Sequence, residues 1–147
     1  MRLRTVAVVV WTLPNTLLGL CLAAVGCCLG GRLRRVDGVL EVYGRLLGAA
    51  MRRWPVPRGG IAAITFGHVV LGRDAATLAR TRRHERVHVG QYERLGPLFL
   101  PAYLLASMAA AWRGGDAYLD NRFERQARRL SGEDPLEPAG RSPHGDR

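Results

Sequence analysis

Lysine is absent from this chain of 147 residues, so all 22 of its basic side chains are arginine. Only 12 residues are acidic, which leaves a formal net charge of +10. Such an excess favours anionic surfaces, either phospholipid headgroups or nucleic acid. Neither an aromatic-interleaved RNA-binding motif nor a zinc-finger spacing occurs in the sequence. We therefore expect membrane lipid, and not nucleic acid, as a partner.

Cysteine is scarce. Cys21, Cys27 and Cys28 lie in one apolar stretch, and no two of them have the CxxC spacing. An odd number of cysteines without that spacing argues against a disulfide framework and against a cysteine-based zinc site. We interpret the three as small apolar residues of a buried or membrane helix.

Charged residues are missing from Thr5 to Gly31, a run longer than the roughly 20 residues that span a bilayer as a helix. Residues 1–35 are therefore predicted to form a membrane anchor, with a signal-like segment as the alternative. A lysine-free chain rich in alanine and glycine is typical of a high-GC bacterial genome, so we expect the bacterial cell membrane. Arg32, Arg34 and Arg35 follow the run and favour a cytoplasmic location for the bulk of the chain.

The remaining sequence predicts one α+β domain at residues 36–130, mainly helical, followed by a polar, proline-rich disordered tail at 131–147. Strand patterns occur from Val36 to Tyr43 and from Ile61 to Leu71, where the chain bends around Gly67-His68. Helical patterns with their caps and breakers predict helices at Leu46–Trp54, Ala75–Leu95 and Leu98–Trp112. The last of these is short for a membrane span, so a core or interfacial helix is expected, with a second membrane segment as the alternative.

The pentapeptide His84-Glu85-Arg86-Val87-His88 has the HExxH pattern. Two histidines four apart on a helix share one face, so both imidazoles can bind one zinc ion. The glutamate between them can deprotonate a water at the open zinc position, as in zinc metallopeptidases. Arg86 is unusual there, because zincins usually carry an uncharged residue at that place. The alternative is a pair of surface histidines on an arginine-rich helix.

A catalytic zinc keeps three protein ligands and a water, and the third is expected downstream. Asp116, Asp120 and Glu124 are the candidates. The segment Tyr118–Ala127 has a helical pattern that Asp120 or Asn121 could cap. Glu124 lies beside its apolar stripe, so we predict Glu124 as the ligand. An ion pair with Arg128 four residues later is the alternative role.

Further residues are candidates for supporting roles. A zinc-bound histidine donates its second nitrogen to an acceptor, and Asp120 and Asn121 are the candidates in sequence. Tyr92, Tyr103 or Tyr118 could stabilise an oxyanion, with packing at a membrane interface as the alternative for each.

The HExxH helix, the apolar helical segment after it and the pattern Asn121-x-x-Glu124-x-x-Ala127 together resemble the gluzincins, over roughly residues 77–130. The likeness is greatest to the membrane-associated branch that includes the CaaX prenyl proteases and the heat-shock membrane proteases. The glutamate of an E-x-x-A-D-like helix is the third zinc ligand in that branch, which implies Glu124 here, although Arg128 replaces the usual acid. The string HERVHVGQYERLGPLFLPAYLLAS also resembles a set of small bacterial membrane proteins.

The resemblance implies a minimal zincin-like core, made of an active helix, a glutamate helix and short edge strands, behind an N-terminal membrane helix. We accordingly expect a membrane-associated, Zn²⁺-dependent hydrolase that acts on a peptide or protein substrate. A catalytically inactive zincin-like protein with a structural metal is one alternative. An arginine-rich membrane-surface binding protein with a coincidental motif is the other.

Overall fold

The structure is a computed structural model that describes residues 2–54 and 60–132, with the side chains of residues 2–5 left out. Most of these residues are helical, and a small sheet accompanies the helices. The expected class, α+β and mainly helical with an N-terminal apolar helix, is confirmed. In chain order the elements are α1 (Arg2–Cys28), β1 (Arg32–Val36), β2 (Val39–Tyr43), α2 (Arg45–Arg53), β3 (Ala63–Phe66), β4 (Val69–Gly72), α3 (Ala75–Leu95), a 3₁₀ turn (Gly96–Leu98), α4 (Phe99–Trp112) and α5 (Arg122–Ser131).

The four strands form one sheet in the order β1-β2-β4-β3. Strands β1 and β2 are antiparallel, β2 and β4 are parallel, and β3 and β4 are antiparallel. The expected bend at Gly67-His68 is the turn between β3 and β4, where Gly67 has a φ of 59°. Because β3 is the last strand in this order, it is an edge of the sheet, and it runs beside α3.

The expectation of a single strand from Val36 to Tyr43 is wrong. Asp37 and Gly38 both adopt left-handed backbone angles, with φ of 47° and 83°. Two such residues in succession form the turn of a tight hairpin, so the chain reverses there. The arginine-rich residues before the turn become β1, which pairs with β2 from Arg32↔Tyr43 to Val36↔Val39. The proposed domain boundary at residue 35 stays a prediction, and it falls within β1.

Side chains alternate along the strands, so the sheet has an apolar surface on each face. On one face Val42 and Val69 pack against Ala23 of α1. On the other face Val70 packs against Leu78 of α3. Helices α1 and α3 therefore lie on opposite sides of the sheet. Beyond the sheet, an aromatic cluster joins the end of α3 to α4 and α5 through Tyr92, Phe99 and Phe123.

Asp74 caps α3, since its Oδ1 accepts a hydrogen bond of 2.7 Å from the Thr77 amide. Helix α5 begins four residues later than the helix expected at Tyr118–Ala127. Asp116 holds the intervening chain in a turn by accepting hydrogen bonds from the Tyr118 and Leu119 amides. Asn121 is the cap of α5. The predicted tail lies outside the described residues beyond Ser131 and Gly132.

Candidate metal centre

His84 and His88 lie on successive turns of α3 and are 6% and 7% exposed. Their Nε2 atoms are 3.1 Å apart. The HExxH spacing has therefore brought two imidazole nitrogens to one point in the interior, as expected for residues four apart on a helix. The alternative of two surface histidines does not agree with this burial.

Glu124 reaches the same point from α5. Its Oε2 lies 3.2 Å from Nε2 of His84, and its Oε1 lies 3.3 Å from Nε2 of His88. The carboxylate is buried with 3% exposure. His84, His88 and Glu124 thus form a buried group that could hold a metal ion.

The dimensions of this group fit a small tetrahedral ion. Zinc bonds of roughly 2.0–2.1 Å at tetrahedral angles separate neighbouring ligand atoms by about 3.3 Å. The two Nε2 atoms are 3.1 Å apart, and each faces a different oxygen of Glu124, at 3.2 Å from His84 and 3.3 Å from His88. One ligand atom from each of the three residues lies within 4.8 Å of the others. Within the described part of the chain, Oε2 of Glu124 is buried, and its contact with Nε2 of His84 at 3.2 Å does not have the geometry of a well-formed hydrogen bond. A buried carboxylate oxygen without a hydrogen bond is costly, and a cation at this point would satisfy it.

The charge of Glu124 is maintained in this environment. Burial by itself would raise the pKa of the carboxyl group, but the hydrogen bonds and charges of His84 and His88 hold the pKa well below its usual range. An ionised carboxylate is the form that binds a metal. Tyr103 of α4 also donates a hydrogen bond of 2.8 Å to Oε1.

Gln91 orients one of the imidazoles, a role that the sequence did not reveal. Its side-chain nitrogen donates to the Phe123 carbonyl at 3.1 Å and to Oε1 of Gln126 at 2.9 Å. The amide oxygen therefore faces Nδ1 of His88, 2.8 Å away. Nδ1 must carry the proton in this arrangement, which leaves the lone pair of Nε2 directed at the metal group. Position i+3 on the same helix was the only signal in the sequence.

Asp120 and Asn121, which we expected to support the histidines, have other contacts. Asp120 accepts a hydrogen bond of 2.7 Å from the Asp116 amide. Asn121 accepts one from the Phe123 amide, and its nitrogen donates to the Tyr103 carbonyl and to Ser107. Asn121 therefore ties the start of α5 to α4 and acts on Glu124 only through the position of the helix.

The three tyrosines differ in their relation to the group. The hydroxyl of Tyr92 donates to the Thr65 carbonyl at 3.0 Å, so it joins α3 to β3. Tyr103 is hydrogen-bonded to Glu124. Tyr118 is 49% exposed, but partial burial of its hydroxyl and the nearby Glu124 carboxylate raise its pKa. Tyr118 and Tyr103 are thus the tyrosines beside the group, and Tyr92 has a packing role.

Glu85 is buried next to the group, with 6% exposure. Its Oε2 accepts a hydrogen bond of 2.6 Å from the hydroxyl of Thr65 in the edge strand β3. Burial raises the pKa of Glu85, although His88, Thr65 and His84 oppose the shift. A carboxyl group whose pKa is raised holds a proton more readily than usual, as a group that accepts and returns a proton must.

Arg86, the unusual residue within the motif, faces away from the group. Its guanidinium donates to the Val36 carbonyl and, at 3.5 Å, to the Asp37 carbonyl. One turn earlier, Arg82 donates to both oxygens of Glu41 at 2.8 and 3.1 Å. The two arginines therefore fasten the outer side of α3 to the β1–β2 hairpin, and a charge inside the motif is accommodated without entering the site.

Glu41 is the buried end of this attachment, at 2% exposure. Arg34 of β1 also donates to its Oε2, with an Nε distance of 2.8 Å. Burial would raise the pKa of Glu41, but the hydrogen bonds of Arg82 and Arg34 outweigh burial and lower it. An ionised Glu41 with two arginines thus fixes the rotation of α3 relative to the sheet.

Comparison with known proteins gives no family for this chain. It matches no protein-family model, no curated protein and no solved structure. The geometry of His84, His88, Glu124 and Glu85 is therefore the feature of this chain that points to a function.

Proposed function

We propose that this protein is a membrane-associated, zinc-dependent hydrolase with a minimal gluzincin-like core, and that its substrate is a peptide or protein. The observation that carries the proposal is the convergence of His84, His88 and Glu124 at the spacing of zinc ligands. Glu85, between the two histidines in sequence, is the proposed general base. An HExxH sequence that arose by coincidence would not be expected to place a buried glutamate from a distant helix against both imidazoles.

The role of each residue follows from its chemistry. His84, His88 and Glu124 would hold the ion, which supplies Lewis acidity toward a water molecule and a substrate carbonyl. Glu85 takes the proton from the attacking water and delivers it to the leaving nitrogen. Thr65 orients Glu85 through its hydrogen bond, and Tyr103 restrains the carboxylate of Glu124. Hydrolysis of an amide is the reaction that these roles serve.

The edge strand β3 supports a peptide as the substrate class. It lies beside α3, and the Thr65 hydroxyl links it to Glu85. An extended peptide can pair with a free strand edge through backbone hydrogen bonds. Such pairing would bring a peptide bond close to Glu85 without requiring a particular side chain. This part of the proposal is an analogy with strand addition in other proteins.

A membrane location is proposed on composition and length. Two helical stretches are long and apolar enough to cross a bilayer, Val6–Cys28 and the continuous stretch Ala75–Trp112. The stretch Ala75–Trp112 contains both α3 and α4. All of its charged side chains lie on α3, and α4 carries no charged residue. We place the protein at the bacterial cell membrane with the metal group on the cytoplasmic side.

Zinc content and hydrolysis test the proposal together. Protein purified in detergent should contain about one zinc per chain. His84→Ala should lose the metal, whereas Glu85→Gln should keep it and lose cleavage of a quenched fluorescent peptide library. Glu93→Gln is the matched control, since it makes the same change on the same helix at an exposed carboxylate. Wild-type protein that binds no zinc at micromolar concentration would exclude the proposal.

A structural metal is the second candidate, and the burial of the group favours it. His84, His88 and Glu124 are all less than 10% exposed, and structural zinc sites are closed, whereas catalytic sites keep an open position. In that case the metal would join α3 to α5. Glu85→Gln would then leave both zinc content and thermal stability unchanged, and wild-type protein would cleave no member of the library.

A further inference from the structure

The side of α1 that faces the protein is made of small or polar residues. Thr12, Asn15, Gly19, Ala23 and Gly26 recur every three or four positions and are all buried. A Cβ on Gly19 would lie 2.8 Å from the Phe66 carbonyl oxygen, so only glycine permits this approach. Small residues at the contact are typical of helices that pack within membranes.

The opposite side of α1 is apolar and uncovered. Val10, Leu13, Leu17, Leu18 and Val25 are between 40% and 63% exposed. This is the reverse of the pattern in water, where a helix turns its apolar stripe inward and its polar side outward. No charged residue interrupts the surface between Thr5 and Gly31. Hydrocarbon is the environment that such a surface requires.

The sheet limits how α1 can meet a bilayer. Contacts with the rest of the protein extend along α1 from Thr12 to Gly26, which is about 21 Å of helix. A helix that crossed a core about 30 Å thick would take the packed sheet into the hydrocarbon, where exposed sheet edges are not tolerated. Strand β1, at one edge, also carries the exposed Arg32 and Arg35. If α1 instead lies along the plane of the membrane, neither the sheet edges nor these arginines enter the hydrocarbon.

Helix α4 has a second apolar surface of the same kind. Leu104, Leu105, Met108 and Trp112 lie on one side of α4 and are at least 60% exposed. With 14 residues, α4 is about 21 Å long and too short to cross. The 3₁₀ turn that precedes α4 is held against α1, because the side chain of Asn15 donates to the Gly96 carbonyl at 2.8 Å.

We propose that α1 and α4 lie in one leaflet of the membrane and that neither crosses it. The exposed arcs of both helices contact acyl chains, and the sheet remains at the aqueous side of the interface. The rest of the protein takes the place of the polar face that an isolated interfacial helix carries. The chain has a net charge of +10, so an anionic leaflet is the one it fits. The proposal does not depend on the metal or on hydrolysis.

Depth measurements along the outer line of α1 test the orientation. Val10, Leu17, Cys21 and Cys28 are seven, four and seven residues apart, so they share one face. One spin label is attached at a time, to a cysteine at one of these positions in full-length protein whose other cysteines are replaced by alanine. Each labelled protein is reconstituted in vesicles of phosphatidylethanolamine and phosphatidylglycerol. Accessibility to oxygen and to a nickel chelate gives each depth. A label at the exposed Arg125 of α5 is the aqueous control.

All four labels should be protected from nickel, and their depths should agree within one helical turn, about 5 Å. A label at Leu17 that is deeper than those at Val10 and Cys28 by more than this would show a crossing helix and overturn the proposal. Labels as accessible to nickel as Arg125 would overturn it as well. Each variant is first checked for wild-type circular dichroism, and the natural cysteines at 21 and 28 provide two positions without a new side chain.

A separate measurement addresses α4. Replacing Trp11 and Trp54 with phenylalanine leaves Trp112 as the sole tryptophan, and this residue is 93% exposed in the protein alone. In the same vesicles, lipids brominated near the glycerol end of the acyl chain should quench Trp112, and iodide in the water should not. Quenching by iodide equal to that of N-acetyltryptophanamide would remove α4 from the proposal.

Discussion

Nδ1 of His88 donates a hydrogen bond to Oε1 of Gln91 at a distance of 2.8 Å. This relationship determines which nitrogen of the ring is available to a metal. Because the amide nitrogen of Gln91 is held by the Phe123 carbonyl and by Gln126, the amide cannot turn over without losing both bonds. The geometry of the metal group is thus supported from α5 twice, directly through Glu124 and indirectly through Gln91.

Gln91→Ala should weaken zinc binding. Loss of an acceptor behind a metal-bound histidine costs about 10–100-fold in metal affinity. Gln91→Glu keeps the acceptor for His88 and should lose less than the alanine variant. Affinity is measured by competition with a fluorescent zinc chelator. Glu93→Ala, at an exposed position of the same helix, is the control, and affinities of Gln91→Ala and wild type that are equal would disprove the orienting role.

Glu124→Asp should abolish tight zinc binding although it keeps the charge. The shorter side chain moves the carboxylate back by about 1.5 Å, and zinc tolerates little change from a bond of roughly 2.0–2.2 Å. Glu93→Asp on α3 is the matched control and should bind zinc as wild type does. The readout is the increase in melting temperature on addition of zinc, since a ligand at 100 times its Kd adds about 2.7 kcal/mol to stability. An equal zinc-dependent increase in both variants would show that Glu124 is not a ligand.

The residues of the metal group could be predicted from the sequence because each depends on local periodicity. His84 and His88 share a face wherever their segment is helical, and Asp74 marks the start of that helix. The apolar stripe around Phe123 and Ala127 turned Glu124 toward the interior. None of these inferences required knowledge of which elements pack together.

The residues that sequence reasoning missed depend on tertiary contacts. Gln91 has its role only because the Phe123 carbonyl lies beside it, 32 positions later. Arg86 is unusual for the motif in sequence, and only the fold shows that the carbonyl groups of Val36 and Asp37 accept hydrogen bonds from its guanidinium. Strand β1 was missed because its alternating arginines resemble the positive flank of a membrane helix, and the turn at Asp37-Gly38 is what brings it onto β2.

Glu41→Gln should destabilise the fold in a way that depends on pH. The variant loses the charge-assisted hydrogen bonds of Arg34 and Arg82, a loss of about 1–3 kcal/mol in the free energy of unfolding. In the folded protein the pKa of Glu41 lies below its ordinary value of 4.5, so the contribution of the carboxylate is complete above that value and is lost as the pH falls through the lowered pKa. Denaturant unfolding in detergent should therefore show a constant difference between wild type and variant above about pH 5.5, and a shrinking one below about pH 4.5. A difference that grew on acidification would contradict the arginine-paired state of Glu41.

Two glycine-to-alanine changes should have opposite effects on stability, and together they test whether α1 is part of the folded domain. In Gly19→Ala the new methyl group meets the Phe66 carbonyl oxygen and Cβ of Val69, both at 2.8 Å. The overpacking should cost about 1–3 kcal/mol. In Gly90→Ala, on α3, nothing lies within 4 Å of the new methyl group, so better helix propensity should add about 0.5–1 kcal/mol. Both values come from unfolding in the same detergent, monitored by circular dichroism. If Gly19→Ala stabilised the protein as Gly90→Ala does, α1 would not be packed against the sheet, and it would act as a separate anchor.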